Sequence, residues 1–354
     1  MCRSPLHPLL QRLPKCEHHI HLEGALTPAL LFSLATRNNI PLPQDDPAFA
    51  SAEALIARYE RFTSLDDFLH YYYIGMSVLV VPEDFEALAW DYFQRASADG
   101  VRHIEAFFDP QAHVSRGVSY PAVVAGFSAA RERAARELGV STMLTCCFLR
   151  HLPVDDSVTL LQSDEVQASF TSGAVAGIGV DSSEVPFPPH KFKALYEHAQ
   201  ARGLRRTAHA GEEGPASYIA EAIDVLGVER IDHGIHLADD AALVRRVADL
   251  GLLLTVCPLS NVRLRCVPSI TNLPLQTFLD AGVSFSLNSD DPAYFGYIGE
   301  CYCAVQEAFN LAVKDWESIC RVSIEKSWCD QQRKDELLAE LRTVTNDWEK
   351  TSAG

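Results

Sequence analysis

His19-Ile20-His21 sets two imidazoles one residue apart. Along an extended segment side chains alternate from face to face, so both rings lie on one face and can reach one ion. His209 would supply a third ring nitrogen and Asp290 a carboxylate oxygen. Three imidazoles and a carboxylate suit zinc, which accepts N and O ligands and keeps one position for water in catalytic sites. Zinc lowers the pKa of that water from about 16 towards ~7, which makes a nucleophile available at neutral pH. The chemistry to expect is hydrolysis with one zinc ion per chain. Glu212 lies three residues beyond His209 and need not bind the metal. A carboxyl group there, kept neutral by a low-dielectric pocket, could donate a proton. The adjacent Glu213 has the same chemistry, and spacing does not separate the two. His233 would stabilise charge beside the water or act as its base.

Singly, each of these residues has a plainer account. An H-x-H pair can be two polar residues on an open strand face. His209 and His233 can be packed strand-end histidines, and Asn288-Ser289-Asp290-Asp291-Pro292 is turn-like in any protein. His18 alternates to the face opposite His19 and reads as structural. Where the secondary structure places these residues decides between the two accounts.

Eight short apolar runs read as strands, at 16–22, 101–107, 141–149, 173–180, 205–209, 230–233, 252–257 and 283–287. Between them lie helical patterns at 29–36, 52–73 with a break near Thr63-Ser64, 82–99, 120–138, 157–168, 188–202, 218–226, 239–250 and 273–281, and further helices are expected over 311–341. Strands alternating with helices imply a parallel sheet, and eight such units predict closure into an α/β (β/α)8 TIM barrel. No linker interrupts the pattern, so residues 1–354 read as one domain. His19 and His21 then fall at the end of the first strand, His209 at the end of the fifth and His233 at the end of the sixth. Asp290 and Asp291 follow the eighth. Active sites of this architecture sit at the C-terminal ends of the strands. Residues scattered over the chain therefore converge on one mouth, and that joint placement favours the metal over four separate coincidences.

Bulk properties narrow the classes. The formal net charge is -17 over 354 residues, with no basic run, so a nucleic-acid partner is not expected. No stretch approaches the ~20 apolar residues of a membrane helix, and Met1 to Pro14 lacks the apolar core of a secretory signal. A cytoplasmic protein is expected, with the nucleus also open to it, either as a monomer or as a homo-oligomer. The ten cysteines lack C-x-x-C spacing and read as free, mostly buried thiols. Phosphate-binding glycine loops of the standard kinds are absent, which argues against a kinase or a nucleotide-dependent dehydrogenase.

With these residues assembled, the chain resembles the adenosine/adenine deaminase family of metal-dependent barrel hydrolases, from about Leu13 to at least Trp328. The motifs are Leu13-Pro14-Lys15-Cys16-Glu17-His18-His19-Ile20-His21-Leu22-Glu23-Gly24, His209-Ala210-Gly211-Glu212-Glu213-Gly214-Pro215, Arg230-Ile231-Asp232-His233-Gly234, and Ser286-Leu287-Asn288-Ser289-Asp290-Asp291-Pro292-Ala293-Tyr294-Phe295-Gly296. Within the family, Ile231-Asp232-His233-Gly234 and Gly179-Val180-Asp181-Ser182-Ser183-Glu184 are similar to the fungal branch that acts on adenine. Typical adenosine-acting members have glycine in place of Asp232, and a glycine near Ser182 that contacts the purine. Tyr297 departs from the second glycine expected after Gly296. Cys257-Pro258-Leu259-Ser260-Asn261 lacks the P-C-x-x-C of the other zinc deaminase class, and reads as a structural turn.

The resemblance implies an amidohydrolase-type barrel with extra N- and C-terminal helices, and zinc on His19, His21, His209 and Asp290. It implies that Glu212, rather than Glu213, donates to N1 of a 6-aminopurine. His233 positions or deprotonates the water, Asp291 hydrogen-bonds N7, and Gly179 and Ser182 touch the substrate. The expected reaction turns adenine into hypoxanthine and ammonia in purine salvage. Adenosine, an N6-substituted adenine and N6-methyl-AMP are rival substrates, although acidic Glu184, Glu212 and Glu213 disfavour a phosphate. A non-catalytic purine-binding barrel and an ester hydrolase are rivals of other classes. Phe62, Leu65 and Phe68 read either as an apolar lid or as ordinary helix core.

Overall fold

The structure, a computed structural model, describes residues 2–352. Eight strands form one sheet in chain order: β1 Lys15–Glu17, β2 Val101–Phe108, β3 Ser141–Leu149, β4 Gly177–Asp181, β5 Arg205–Ala210, β6 Arg230–His233, β7 Leu253–Val256 and β8 Ser284–Leu287. Every neighbouring pair is parallel. An isolated bridge between Ile20 and Asp290 brings the first strand to the last and closes the barrel. The strands are buried along almost their whole length, because helices cover them outside and side chains fill the lumen.

The helices follow local rules. Thr27, Ser51, Ser64, Ser119 and Asp240 each accept a backbone N–H in the first turn of the helix that follows. Gly139, Gly251 and Gly282 end their helices with φ of 67°, 62° and 69°, a conformation glycine adopts without steric cost. The helices Pro82–Ala98 and Tyr120–Leu138 approach closely because Gly126 has no side chain. A Cβ there would lie 2.2 Å from the carbonyl of Pro82.

The N-terminal end of the barrel is closed by polar groups. Arg230 at the start of β6 meets Glu105 of β2 at 2.6 Å, and its guanidinium lies 4.0 Å over the ring of Trp328. His18 is buried there between the hydroxyls of Ser286 and Ser327, the structural place its alternation predicts.

Several expectations shift. The first strand stops at Glu17, and residues 18–22 continue as an extended segment with isolated bridges. The helix expected over 157–168 is two, Val154–Gln162 and Asp164–Thr171, because Ser163 caps the second. The helix expected over 218–226 ends in a π-turn at Ala222–Leu226. The C-terminal helices begin with Ile298–Phe309, earlier than the expected 311. Eight cysteines are free, but Cys2 and Cys303 are bonded to each other across 301 residues. No spacing rule could have paired them. Among the described residues no helix is long and apolar enough to cross a membrane.

Candidate metal centre and active site

The extended segment after β1 carries His19 and His21 into the barrel mouth, where it is stitched to the end of β8. The N–H of His21 donates to the carbonyl of Asp290 at 2.9 Å, and the N–H of Asp290 donates to that of His19 at 3.1 Å. His209 arrives from β5 and His233 from the last residue of β6. Asp290, His233 and Ser182 have φ of 67°, 59° and 71°. Such backbones cost about 1–3 kcal/mol in non-glycine residues and concentrate at functional sites. Gly24 leaves room for the neighbouring acid, since a Cβ there would lie 1.9 Å from Oδ1 of Asp291.

One ring nitrogen each from His19, His21 and His209 and one oxygen of Asp290 lie within 4.8 Å of one another. His21 Nε2 faces His209 Nε2 at 3.3 Å, and Asp290 Oδ1 lies 3.0 Å from His19 Nε2 and 3.5 Å from His21 Nε2. Each far nitrogen faces an oxygen, and that of His19 is hydrogen-bonded. His19 Nδ1 meets Thr255 Oγ1 at 2.9 Å, and that hydroxyl donates to Asp232 at 3.1 Å. It follows that His19 Nδ1 carries the proton and Nε2 presents a lone pair. His209 Nδ1 stands 3.6 Å from Asp232, and His21 Nδ1 stands 3.5 Å from Asp181. Carboxylates behind metal-ligating histidines fix the ring and the tautomer in this way. Burial, followed by the neighbouring imidazoles, pushes His209 well below the usual histidine range, and burial also lowers His21. Burial opposes the charge on Asp290, but His19 and His233 outweigh it and hold the acid ionised. Imidazole nitrogens and a carboxylate oxygen turned towards one another, with the His19 Nε2 atom buried and lacking a hydrogen-bond partner, fit a divalent cation.

A second group, His19, His233, Cys257 and Asp290, has similar spacing. Burial keeps the Cys257 thiol protonated, and that thiol donates to the carbonyl of Thr255. The histidine-rich set is the better ligand sphere.

Around the cluster is a cavity that opens to the barrel mouth. Glu212, His233, Asp291 and Ser182 line it. Glu212 and Asp291 are both pushed well above the usual carboxyl range by burial and then by Asp290, so each keeps its proton. His233 Nε2 lies 3.5 Å from Glu212 and 3.8 Å from Asp290, and burial lowers its pKa to about 3. The Asn261 amide holds its other nitrogen at 3.1 Å. Thus the segment expected to be a mere turn is a short helix, Pro258–Arg263, that anchors His233.

Gly179 does not reach the cavity. It sits within β4, and a Cβ there would meet Cys147 of β3 at 2.8 Å. Glu184 is turned inward. It lies buried beneath the loop and accepts N–H groups from Gly211, Glu212 and Gly214 at 3.1, 3.1 and 2.7 Å. Glu213 is exposed. Leu65 and Phe68 line the cavity, whereas Phe62 packs behind them against Tyr59 and Tyr294. Sequence reasoning passed over Asp109, Asp181, Tyr72 and Tyr73, which also line the cavity. Asp109 and Asp181 stand at the ends of β2 and β4, so the strand-end rule that selected His209 would have selected them too.

A metal-binding barrel hydrolase of the amidohydrolase type is the class that this fold and site define. Residues 14–344 match the family described as Adenosine deaminase. The chain is 57% identical over 344 residues to an adenine deaminase of Aspergillus fumigatus, covering 96% of this chain and 97% of the relative. It is 52% identical to an adenine deaminase of Schizosaccharomyces pombe, covering 98% and 95%. A solved adenine deaminase from Arthrobacter aurescens superposes with a TM-score of 0.88 at 45% identity, covering 96% and 99%. An amidohydrolase from Burkholderia ambifaria with bound Zn gives 0.88 at 28% identity, covering 99% and 97%. The chain belongs to the adenosine deaminase family.

Proposed function

We propose that the chain, acting as one catalytic domain in the cytoplasm, hydrolyses adenine to hypoxanthine and ammonia, with zinc held by His19, His21, His209 and Asp290. The observation that carries this reading is the placement of two buried carboxyl groups, Glu212 and Asp291, on the walls beside the metal cluster. N1 and N7 of adenine are both acceptors, and each needs a donor. Relatives named adenine deaminase over nearly the full length support the choice of the free base.

Zinc held by these four residues would supply an acidified water near the purine. Glu212 donates its proton to N1, which draws electron density from the ring and makes C6 electrophilic. Asp291 holds N7 and so fixes the ring over the cluster. His233, neutral and anchored by Asn261, takes a proton from the attacking water and stabilises the charge that develops. The water oxygen bonds to C6, His233 passes its proton to the exocyclic nitrogen, the C6–N bond breaks to release ammonia, and the remaining hydroxyl proton returns to Glu212 as the C6 carbonyl forms. Leu65, Phe68 and Leu264 exclude bulk water from the ring.

Ammonia release from adenine, adenosine, N6-isopentenyladenine and N6-methyl-AMP tests the reading, with zinc content measured and Glu212→Gln as control. Adenine turnover that disappears in the control is expected. Preference for another member of the panel would replace the substrate and keep the mechanism. No turnover by zinc-loaded protein would sink the enzyme reading.

A further inference from the structure

The purine cavity ends at a wall that the proposed reaction does not use. The Ser182 hydroxyl lies between Nδ1 of His151, at 2.9 Å, and Oη of Tyr73, at 3.4 Å. The Tyr73 and His151 rings meet edge to face with centroids 5.7 Å apart. Next to it, Ser183 Oγ donates to Asp66 at 2.8 Å. The loop after β4 is therefore fastened twice to the helix Leu65–Met76. Ser182 keeps a left-handed backbone at φ 71°, which glycine would adopt at lower cost. A serine held there by two side-chain contacts is a position where the hydroxyl itself is in use.

Behind the wall is a second pocket, open to solvent and bordered by Met76, Gln111, His151 and Leu152. Tyr73 and Leu149 border both cavities and so form the partition between them. The proposed substrate pose says which edge of the purine meets this partition. C6 lies against His233 of β6 and the metal cluster, N1 against Glu212 after β5, and N7 against Asp291 after β8. The remaining edge, carrying N3 and N9, faces the ends of β2 to β4. There the cavity is lined by Asp109, Leu149, Asp181 and Ser182, and Tyr72 ties down Asp109 at 3.1 Å. Tyr73 borders the cavity on that side, beside Ser182, and in this pose it stands across the path of a sugar on N9.

Resting on the proposed adenine reading, we propose that Tyr73, fastened through Ser182 to His151, is the specificity wall that admits free 6-aminopurine bases and rejects their nucleosides. A hydrogen-bonded aromatic wall rejects a larger ligand sterically, at no cost to the smaller one that stops short of it. Opening it would join the two cavities and give a pentose a place to lie.

The test compares kcat/KM for adenosine and adenine in the full-length zinc enzyme and in Tyr73→Ala, His151→Ala and Tyr73→Phe. The ratio of two substrates in one preparation is insensitive to the folded fraction. The adenosine-to-adenine ratio should rise at least about tenfold in Tyr73→Ala, less in His151→Ala, and least in Tyr73→Phe, which keeps the ring. An unchanged ratio in a Tyr73→Ala enzyme that still deaminates adenine overturns the proposal. If Tyr73→Ala turns over neither substrate, inhibition of adenine turnover by adenosine in His151→Ala decides, and an unchanged inhibition constant overturns it. A wild-type enzyme that prefers adenosine overturns both this wall and the adenine reading. A wild-type enzyme specific for adenine with an unresponsive ratio overturns the wall alone.

Discussion

The carboxylate of Glu184 accepts the backbone N–H of Glu212 at 3.1 Å, so one acid fixes the backbone of another. The same carboxylate takes the N–H groups of Gly211 and Gly214. Glu184→Ala leaves three backbone donors without their acceptor, at about 1–3 kcal/mol for a buried group left unpaired. The variant should melt several degrees lower and lose at least about tenfold in kcat, because a proton donor displaced by a fraction of an ångström works poorly. Glu184→Gln keeps one acceptor oxygen and should fall between. Thermal melts and steady-state kinetics on the two variants check this.

Asp232 receives the hydroxyl hydrogens of Thr207 at 2.7 Å and Thr255 at 3.1 Å, and stands beside the outer nitrogens of His19 and His209. Asp232→Ala should weaken zinc binding about 10–100-fold, as loss of a carboxylate behind a ligand does. Competition with a calibrated chelator measures it. Zinc affinity equal to wild type would mean that the threonine hydroxyls alone orient the rings.

Burial and Asp290 keep Glu212 protonated well above the usual carboxyl range. A proton donor is lost when it ionises, so kcat should fall on the alkaline side of the profile as pH rises through that raised value. Glu212→Gln should remove the limb and lower kcat by about 10²–10⁴, with zinc still bound. An alkaline limb of unchanged position in the residual activity of the variant would assign it to another group.

Stability should respond to pH through Glu23, whose pKa is raised by burial and then by Asp109. The folded state keeps a proton that the unfolded chain has already released, so stability falls as pH rises from the ordinary carboxyl value to the raised one. The contribution is whole below the ordinary value and gone above the raised one. Glu23→Gln should flatten the dependence of unfolding free energy on pH by at most about 1.4 kcal/mol per pH unit in that window. Denaturant unfolding of metal-free wild type and variant between pH 5 and 8 would show a parallel pair of curves if Glu23 is not responsible.

Much of the site was legible because the barrel converts sequence pattern into position. His209 and His233 fall at strand ends, and the sequence places strand ends well when a short apolar run stops at a polar residue. His19 and His21 were placed correctly even though the first strand is shorter than its apolar run. What stayed hidden depends on contacts between distant segments. Nothing near Asn261 points to His233, and nothing near Glu184 shows that its carboxylate turns inward to three N–H groups rather than outward to solvent. Gly179 lies within β4 and packs against Cys147, whereas Ser182 of the same motif lines the cavity, a difference of depth that the motif does not show. The bond between Cys2 and Cys303 brings the N-terminus to a helix whose start the apolar pattern did not reveal.

The bridge between Ile20 and Asp290 joins the two ends of the barrel at the place where His19, His21 and Asp290 converge. In the proposed zinc site the first two ligands, His19 and His21, emerge early during synthesis, and the last, Asp290, emerges only after some four-fifths of the chain. A growing chain therefore cannot complete the four-ligand sphere, and a product truncated before Asp290 lacks both the closing bridge and the fourth ligand. Metal loading is in this sense a record that translation ran far enough, and an unfinished chain carries no hydrolytic centre to release.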